Sequence, residues 1–247
     1  MVGRDPTLGD LRTVSDGLLV PVMTNTDTLA LNYEDSVTLL GASPAPFDLL
    51  DQALRIAPNL VAADGGADAA RAHGSIPKAI IGDMDSIGNL DSWQNSGIQI
   101  RRIAEQTTTD FEKCLRLVQA PVIIGVGLLG GRNDHALAAM SALVANPDRA
   151  ILLLDVDEVM FHCPTDLRID LPPGTRVSLF PLRPVTGLRS EGLNWSVEGL
   201  CMAPGGRVGT SNLSTGGQVR LAFDGPGVLV ILPRTTLRAA ITALQHR

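Results

Sequence analysis

The chain has 247 residues, a formal charge of −6 and a pI near 5.1, with ordinary apolar content and few aromatics. That length allows one large domain or two modest ones with a sizeable core, while the acidic balance argues against a general nucleic-acid binder, which carries a basic footprint. Three widely spaced cysteines, Cys114, Cys163 and Cys201, with no CxxC pair, fit a reduced, cytoplasmic setting, and no apolar run is long enough to span a bilayer, so neither membrane nor nucleic acid is expected as a partner.

Residues 1–35 have weak periodicity and several turn formers and read as an irregular arm carrying one short strand; its apolar run LLVPVM (18–23) is far too short to span a bilayer. The arm contains acids and lacks a long apolar core, unlike a secretory signal. From residue 36 strand-like and helix-like runs alternate: SVTLLG then FDLLDQALRIA, NLVAAD then ADAARAHG, KAIIGD, IQIRRI then DFEKCLRLVQA, VIIGVGLLG then DHALAAMSALVAN, and AILLLD. Strands apolar on both faces with helices between them indicate a mostly parallel, Rossmann-like sheet covered on both sides, over residues 36–158. After about residue 158 the helical pattern stops. DLRIDL, RVSLFPL, GLNWSVEG, QVRLAF and GVLVILP read as strands of an all-β sandwich over 159–247, closed by a short helix from PRTTLRAAITALQHR.

In open α/β sheets ligands bind beyond the carboxyl ends of the strands. Asp64 follows NLVAA, Asp83 and Asp85 follow KAII and Gly82, and Asp110 opens the helix after IQIRRI and a threonine-rich loop. In extended chain, residues two apart point the same way, so Asp83 and Asp85 converge. Two unit charges 4 Å apart repel by about 4 kcal/mol at an effective dielectric near 20, so such a group calls for a cation. Mg²⁺ is hard, takes oxygen ligands and shares its shell with substrate phosphates. Each aspartate alone also has a plain role: Asp64 before Gly65-Gly66 fits a turn, and Thr109-Asp110-Phe111-Glu112 fits a capping box. All four at strand ends of one sheet favour a metal site.

GVGLLG (125–130) matches GxGxxG, but the helix starts later, near Asp134, so a dinucleotide fingerprint is not expected. Instead, Gly130-Gly131-Arg132-Asn133-Asp134-His135 sets an arginine, an acid and a histidine at a helix start, which attracts phosphate.

Taken in order, DGGAD (64–68), GDMDS (82–86), TDFEKCL (109–115), GGRNDH (130–135), GLNW (192–195) and SN (211–212) resemble the thiamine pyrophosphokinase family from about Val37 to Leu232. The resemblance implies an α/β nucleotide-binding domain followed by a β-sandwich, working as a homodimer with shared active sites. It implies transfer of the pyrophosphoryl group of ATP to the hydroxyl of thiamine, giving thiamine diphosphate and AMP. By position it puts the metal and phosphate acids at Asp64, Asp83, Asp85 and Asp110, with Mg²⁺ as cofactor. Asp83, Asp85, Asp110, Arg132 and Asp134 form the catalytic set. Gly65, Gly66, Gln106, Lys113, Arg132 and His135 join Asp64 in binding ATP, while Trp195 packs on thiamine and Ser211 and Asn212 bond its aminopyrimidine. A core tryptophan of the sandwich is the other reading of Trp195. Thr107 stands where the family commonly has a further acid, and Gly41-Ala42-Ser43-Pro44 has fewer glycines than usual. A metal-dependent phosphohydrolase and a non-catalytic nucleotide or thiamine sensor are the alternatives to the kinase reading.

Overall fold

A computed structural model describes residues 11–13, 19–21 and 30–246. In chain order its elements are β1 (Leu11–Thr13), β2 (Leu19–Pro21), β3 (Leu31–Asn32), β4 (Val37–Leu40), α1 (Phe47–Leu54), β5 (Asn59–Ala63), α2 (Gly66–His73), β6 (Ala79–Gly82), α3 (Leu90–Gln94), β7 (Gln99–Arg102), α4 (Asp110–Leu117), β8 (Val118–Gln119), β9 (Ile123–Val126), α5 (Asn133–Ala145), β10 (Ile151–Leu154), β11 (Glu158–His162), β12 (Leu167–Leu171), β13 (Arg176–Pro181), β14 (Val185–Glu191), β15 (Cys201–Met202), β16 (Gly209–Leu213), β17 (Gly217–Phe223), β18 (Val228–Pro233) and α6 (Leu237–Gln245). Most of the arm lies outside the described residues. Where it is described, β1 pairs with β2 and β3 pairs with β8, rather than one strand standing alone.

One ten-stranded sheet, in the order β16-β13-β18-β11-β10-β9-β4-β5-β6-β7, runs through both halves of the chain. From β10 to β7 its strands are parallel and linked by helices. Beyond β10 the neighbours turn antiparallel, beginning with the tight return from β10 into β11. Beyond β10 the sequence reading leaves β11, β14, β15 and β16 unassigned and takes GLNWSVEG as a strand. Residues 192–199 are instead a loop: Gly192 and Gly199 sit at φ +75° and +73°, and the strand, β14, ends just before it. Helix α3 is also unread in the sequence, being only five residues long.

Side-chain alternation explains the layers. In β4 and β10, Leu39, Ile151 and Leu153 join the core beneath α4 and α5, which supply Phe111, Leu115, Ala139 and Leu143. Leu40, Leu152 and Leu154 face the opposite layer. That layer is α1 and α2 (Leu49, Leu50, Ala70) and the sheet β12-β17-β14-β15 (Leu167, Ile169, Val219, Leu221) with α6. The sandwich is therefore the antiparallel end of the long sheet faced by a second, four-stranded one. The strand order reverses between β4 and β9, where loops leave in opposite directions and open a crevice.

Candidate active site

A cleft of about 320 Å³ occupies that crevice. Its walls are Gly41–Pro44 after β4, Asp64 and Gly65 after β5, Ser86 after β6, Thr109–Phe111 at the start of α4, Gly127, Leu128, Gly131 and Arg132 between β9 and α5, and His135 in the first turn of α5. Close packing makes it possible. A Cβ on Gly66 would lie 2.0 Å from the Leu40 carbonyl oxygen, so only glycine lets α2 start against β4, and one on Gly82 would lie 2.6 Å from the Asp64 Cβ.

Asp64, Asp83 and Asp85 each offer a carboxylate oxygen, and these oxygens lie within 4.8 Å of one another. The convergence does not come from extended chain, as the sequence suggests. Met84 between the two acids has φ +70°, so the strand has already turned, and the Asp85 N–H donates to Asp83 Oδ1 at 3.3 Å. Asp64 also has positive φ, +44°. Non-glycine residues seldom hold such backbone, and it clusters where a site over-determines it.

The acids differ in what supports their charge. Asp64 is buried; its Oδ2 accepts from the Ser86 N–H at 3.2 Å, and its Oδ1 has no hydrogen-bond partner among the described residues. Burial, with the Asp110 and Asp83 charges, pushes its carboxyl up to about 6. Burial also works against an ionised Asp83, but the 2.6 Å bond from Gln106 Nε2, the Asp85 N–H and the nearby Lys113 outweigh it, and its carboxyl sits below the usual range. Asp85 is exposed and accepts from Ser86 Oγ at 2.9 Å. Asp110 stands beside the trio, its Oδ1 2.9 Å from the Nζ of Lys113. Lys113 is itself buried and lies 3.9 Å from Asp83 Oδ2, an internal cation against this negative cluster.

Helix α4 starts with the expected capping box: Glu112 N–H donates to Thr109 Oγ1 at 3.3 Å, and Thr109 N–H to Glu112 Oε2 at 2.8 Å. Glu105 organises the loop before it. Its carboxylate accepts from Thr107 N–H at 2.8 Å, from Thr108 N–H at 3.1 Å and from Arg116 Nη2 at 2.5 Å. Thr107 is thus tied to Glu105 through both its N–H and its hydroxyl. Across the cleft, Arg132 is the N-cap residue of α5 and is paired with Asp134, Nη2 to Oδ2 at 2.6 Å, both exposed. That pairing holds the Asp134 carboxyl down at about 2.

Trp195, Ser211 and Asn212 are not in this cleft. They gather at β16, the far edge of the long sheet. Trp195 is 60% exposed, so it is not a core tryptophan. Buried Asn212 holds its loop: Oδ1 accepts from the Trp195 N–H at 3.1 Å and the Leu213 N–H at 2.9 Å, and Nδ2 donates to the Trp195 carbonyl at 2.6 Å. Ser211 is exposed at φ +62°, where β13 and β16 slip register, and its N–H donates to Ser178 Oγ at 3.0 Å.

Ser86 and Ser43 were missed as site residues by sequence reasoning. Ser86 stands inside GDMDS (82–86), directly after Asp-x-Asp, which is its local signal. Ser43, in the Gly41-Ala42-Ser43-Pro44 loop, donates from Oγ to the Gly130 carbonyl at 3.2 Å and ties the two loops of the crevice.

Two family models match: thiamin pyrophosphokinase, catalytic domain, over residues 50–153, and thiamin pyrophosphokinase, vitamin B1 binding domain, over 161–228. Thiamine pyrophosphokinase 1 of Arabidopsis thaliana is 32% identical over 155 residues, 56% of this chain and 58% of that protein. Thiamin pyrophosphokinase 1 of Caenorhabditis elegans is 29% identical over 161 residues, 59% and 65% of the two. The match thus spans less than two thirds of either relative's length. The solved thiamin pyrophosphokinase from Candida albicans shares the fold with a TM-score of 0.70 at 16% identity, covering 93% of this chain and 100% of that one. The yeast enzyme does so with a TM-score of 0.68 at 17% identity, over 99% and 96%. With both of its domains matched in order across well over half of its length, the chain belongs to the thiamin pyrophosphokinase family.

Proposed function

We propose that this chain is an ATP- and Mg²⁺-dependent thiamine pyrophosphokinase that moves the pyrophosphoryl group of ATP to the hydroxyl of thiamine, leaving thiamine diphosphate and AMP. The observation that carries this reading is the trio Asp64, Asp83 and Asp85 at the lip of the crevice, with Asp64 Oδ1 buried and unpartnered among the described residues. Three carboxylates are a hard oxygen set that suits Mg²⁺. When bound, Mg²⁺ supplies charge neutralisation to the phosphates, the main need of such transfers. The chain's own groups do the positioning. Gly65 lines the cleft and lets backbone approach the phosphates while Gly66 seats α2 against β4, the α5 N-terminus offers free amides, and Arg132 can exchange Asp134 for a phosphate oxygen. His135 lines the same wall. Lys113 and Gln106 fix Asp110 and Asp83.

The division of labour follows the two ends of the sheet: residues 36–158 for ATP and metal, 159–247 for thiamine. Trp195 presents its ring to the cationic thiazolium, worth about 0.5–2 kcal/mol depending on desolvation. Ser211 flanks it, and Asn212 holds the loop that carries it. Strand β16 lies seven strands from β5, which at about 4.8 Å per strand is on the order of 30 Å. Pyrophosphoryl transfer needs its reactants in contact, so a second copy must bring its Trp195 edge to the acid crevice. This supports a homodimer with shared sites. Among the described residues no helix is long and apolar enough to cross a membrane, and the cysteines, all free, fit a reduced cytoplasm.

Incubation with ATP, Mg²⁺ and thiamine, followed by mass detection, is expected to yield thiamine diphosphate and AMP in equal amounts. Release of phosphate without AMP sinks the proposal in favour of a phosphohydrolase. Mixing Asp83→Asn with Trp195→Ala subunits is expected to restore part of the lost activity; verified mixed dimers that stay inactive speak against sharing.

A further inference from the structure

The turn that carries Asp83 and Asp85 is fastened by groups that the chemistry itself does not use. Met84, at φ +70°, is only 8% exposed and packs in a small core of its own with Ala62, Ala67, Ile80 and Trp93. A residue with a side chain costs about 1–3 kcal/mol in unusual backbone of this kind, where glycine does not. Its side chain must therefore contribute something that glycine lacks. Trp93 comes from α3, in the segment 86–97 that links β6 to β7. That segment is tied to α2 at three points. Gly88 N–H donates to Asp68 Oδ2 at 2.7 Å, Arg71 Nη2 donates to Ser92 Oγ at 2.5 Å, and the Arg71 guanidinium stacks 4.4 Å over the Trp93 ring. Asp68 and Arg71 are one turn apart on α2, the helix that begins two residues after Asp64. One short helix thus sets Asp64 at its start and, through its exposed side, holds the segment that positions the other two acids.

We infer that Met84 and Trp93 are positioning residues, and that segment 86–97 is a clamp that presets Asp83 and Asp85 against Asp64 for a divalent cation before nucleotide arrives. This rests on the metal reading above. The preset matters because bringing like charges together is unfavourable, and a loop free to relax would separate them and pay for reassembly on binding.

The test is Mn²⁺ titration without nucleotide, read by Mn²⁺ electron paramagnetic resonance, on wild-type protein and three variants whose melting is checked first. Met84→Gly keeps the φ of +70° free of strain while removing the anchor. Trp93→Ala empties the small core, and Met84→Leu retains an apolar side chain of similar volume. Loss of supporting groups around metal ligands typically weakens affinity about 10–100-fold, so Met84→Gly and Trp93→Ala are expected to bind Mn²⁺ at least about tenfold more weakly, and Met84→Leu within about threefold of wild type. Met84→Gly protein that binds as tightly as wild type overturns the inference alone, as does Met84→Leu protein as weak as Met84→Gly. Wild-type protein that takes up no Mn²⁺ removes the metal reading, and this inference with it.

Discussion

At the mouth of β5 and β6 the chain gathers negative charge that it does not fully neutralise, while at the β16 edge it satisfies its polar groups internally and leaves an indole bare. Both places use a rare backbone state, at Asp64 and Met84 in one and at Ser211 in the other. The first is nevertheless a concentration of like charge, with one carboxyl lifted to about 6 and one buried carboxylate oxygen that has no hydrogen-bond partner among the described residues. The second is a finished surface: the Asn212 amide makes three hydrogen bonds that fix the Trp195 loop. A cluster of like charge and an exposed aromatic ring are suited to different ligands, so the two ends of one sheet offer different chemistry under the function proposed above.

The sharpest way to break this contrast is to remove charge at the first region. Asp64→Asn and Asp83→Asn are each expected to lower thiamine diphosphate formation by at least about 10²-fold, the scale for losing a principal electrostatic group, but their stabilities should part. Asp64 has its folded value raised from 3.8 to about 6, so its charge opposes folding above about pH 6 and not below 3.8. Asp64→Asn should therefore raise the metal-free Tm at pH 7–8, by several degrees for a change on the order of 2 kcal/mol. Asparagine also tolerates the positive φ. Asp83 has its value lowered by bonds to its charged form, so Asp83→Asn should leave Tm unchanged or reduced. Melting curves of the two variants with and without Mg²⁺ check this, and an identical shift for both would erase the distinction.

At the other end, Asn212→Ala strands the Trp195 N–H and carbonyl and is expected to cost about 1–3 kcal/mol of stability. It should raise the KM for thiamine and leave Mn²⁺ binding intact; a loss of metal binding would mean the two regions are not independent. Trp195→Ala, which removes an exposed ring, should leave Tm nearly unchanged and raise the KM for thiamine by about threefold to thirtyfold, the range of a cation–π contact. An equal rise in the KM for ATP would count against the platform.

The smallest effect should come from the loop staple. Glu105 is partly buried, which favours its neutral form, but bonds from Thr107, Thr108 and Arg116 outweigh this and lower its value from 4.5 to about 2. Its contribution to stability is present above pH 4.5 and lost as pH falls toward 2. Glu105→Gln should lower Tm by a few degrees at pH 7 and by progressively less in acid. A difference from wild type that stays constant down to pH 2 would show that the charge is not what matters.

Length, composition and local pattern determined much of this. Alternating apolar runs specified the parallel half, because strands buried on both faces and helices of period 3.6 leave different marks. The capping box at Thr109 was legible because both partners lie within four residues. Acids at strand ends were legible because the strands themselves were. Tertiary structure decided what depends on distant partners. Strand β11 sits between its hairpin neighbour β10 and the distant β18, and it is the pairing with β18 that carries the sheet on into the second half of the chain, a continuity no local pattern shows. GLNWSVEG carries the alternation of a strand but finds no ladder, since Asn212 and two left-handed glycines hold it as a loop. The turn at Met84 was unreadable for the same reason: a methionine takes positive φ only where a core formed by other segments receives its side chain. Sequence fixes which groups are available and their local geometry, while long-range packing energy decides which of them meet.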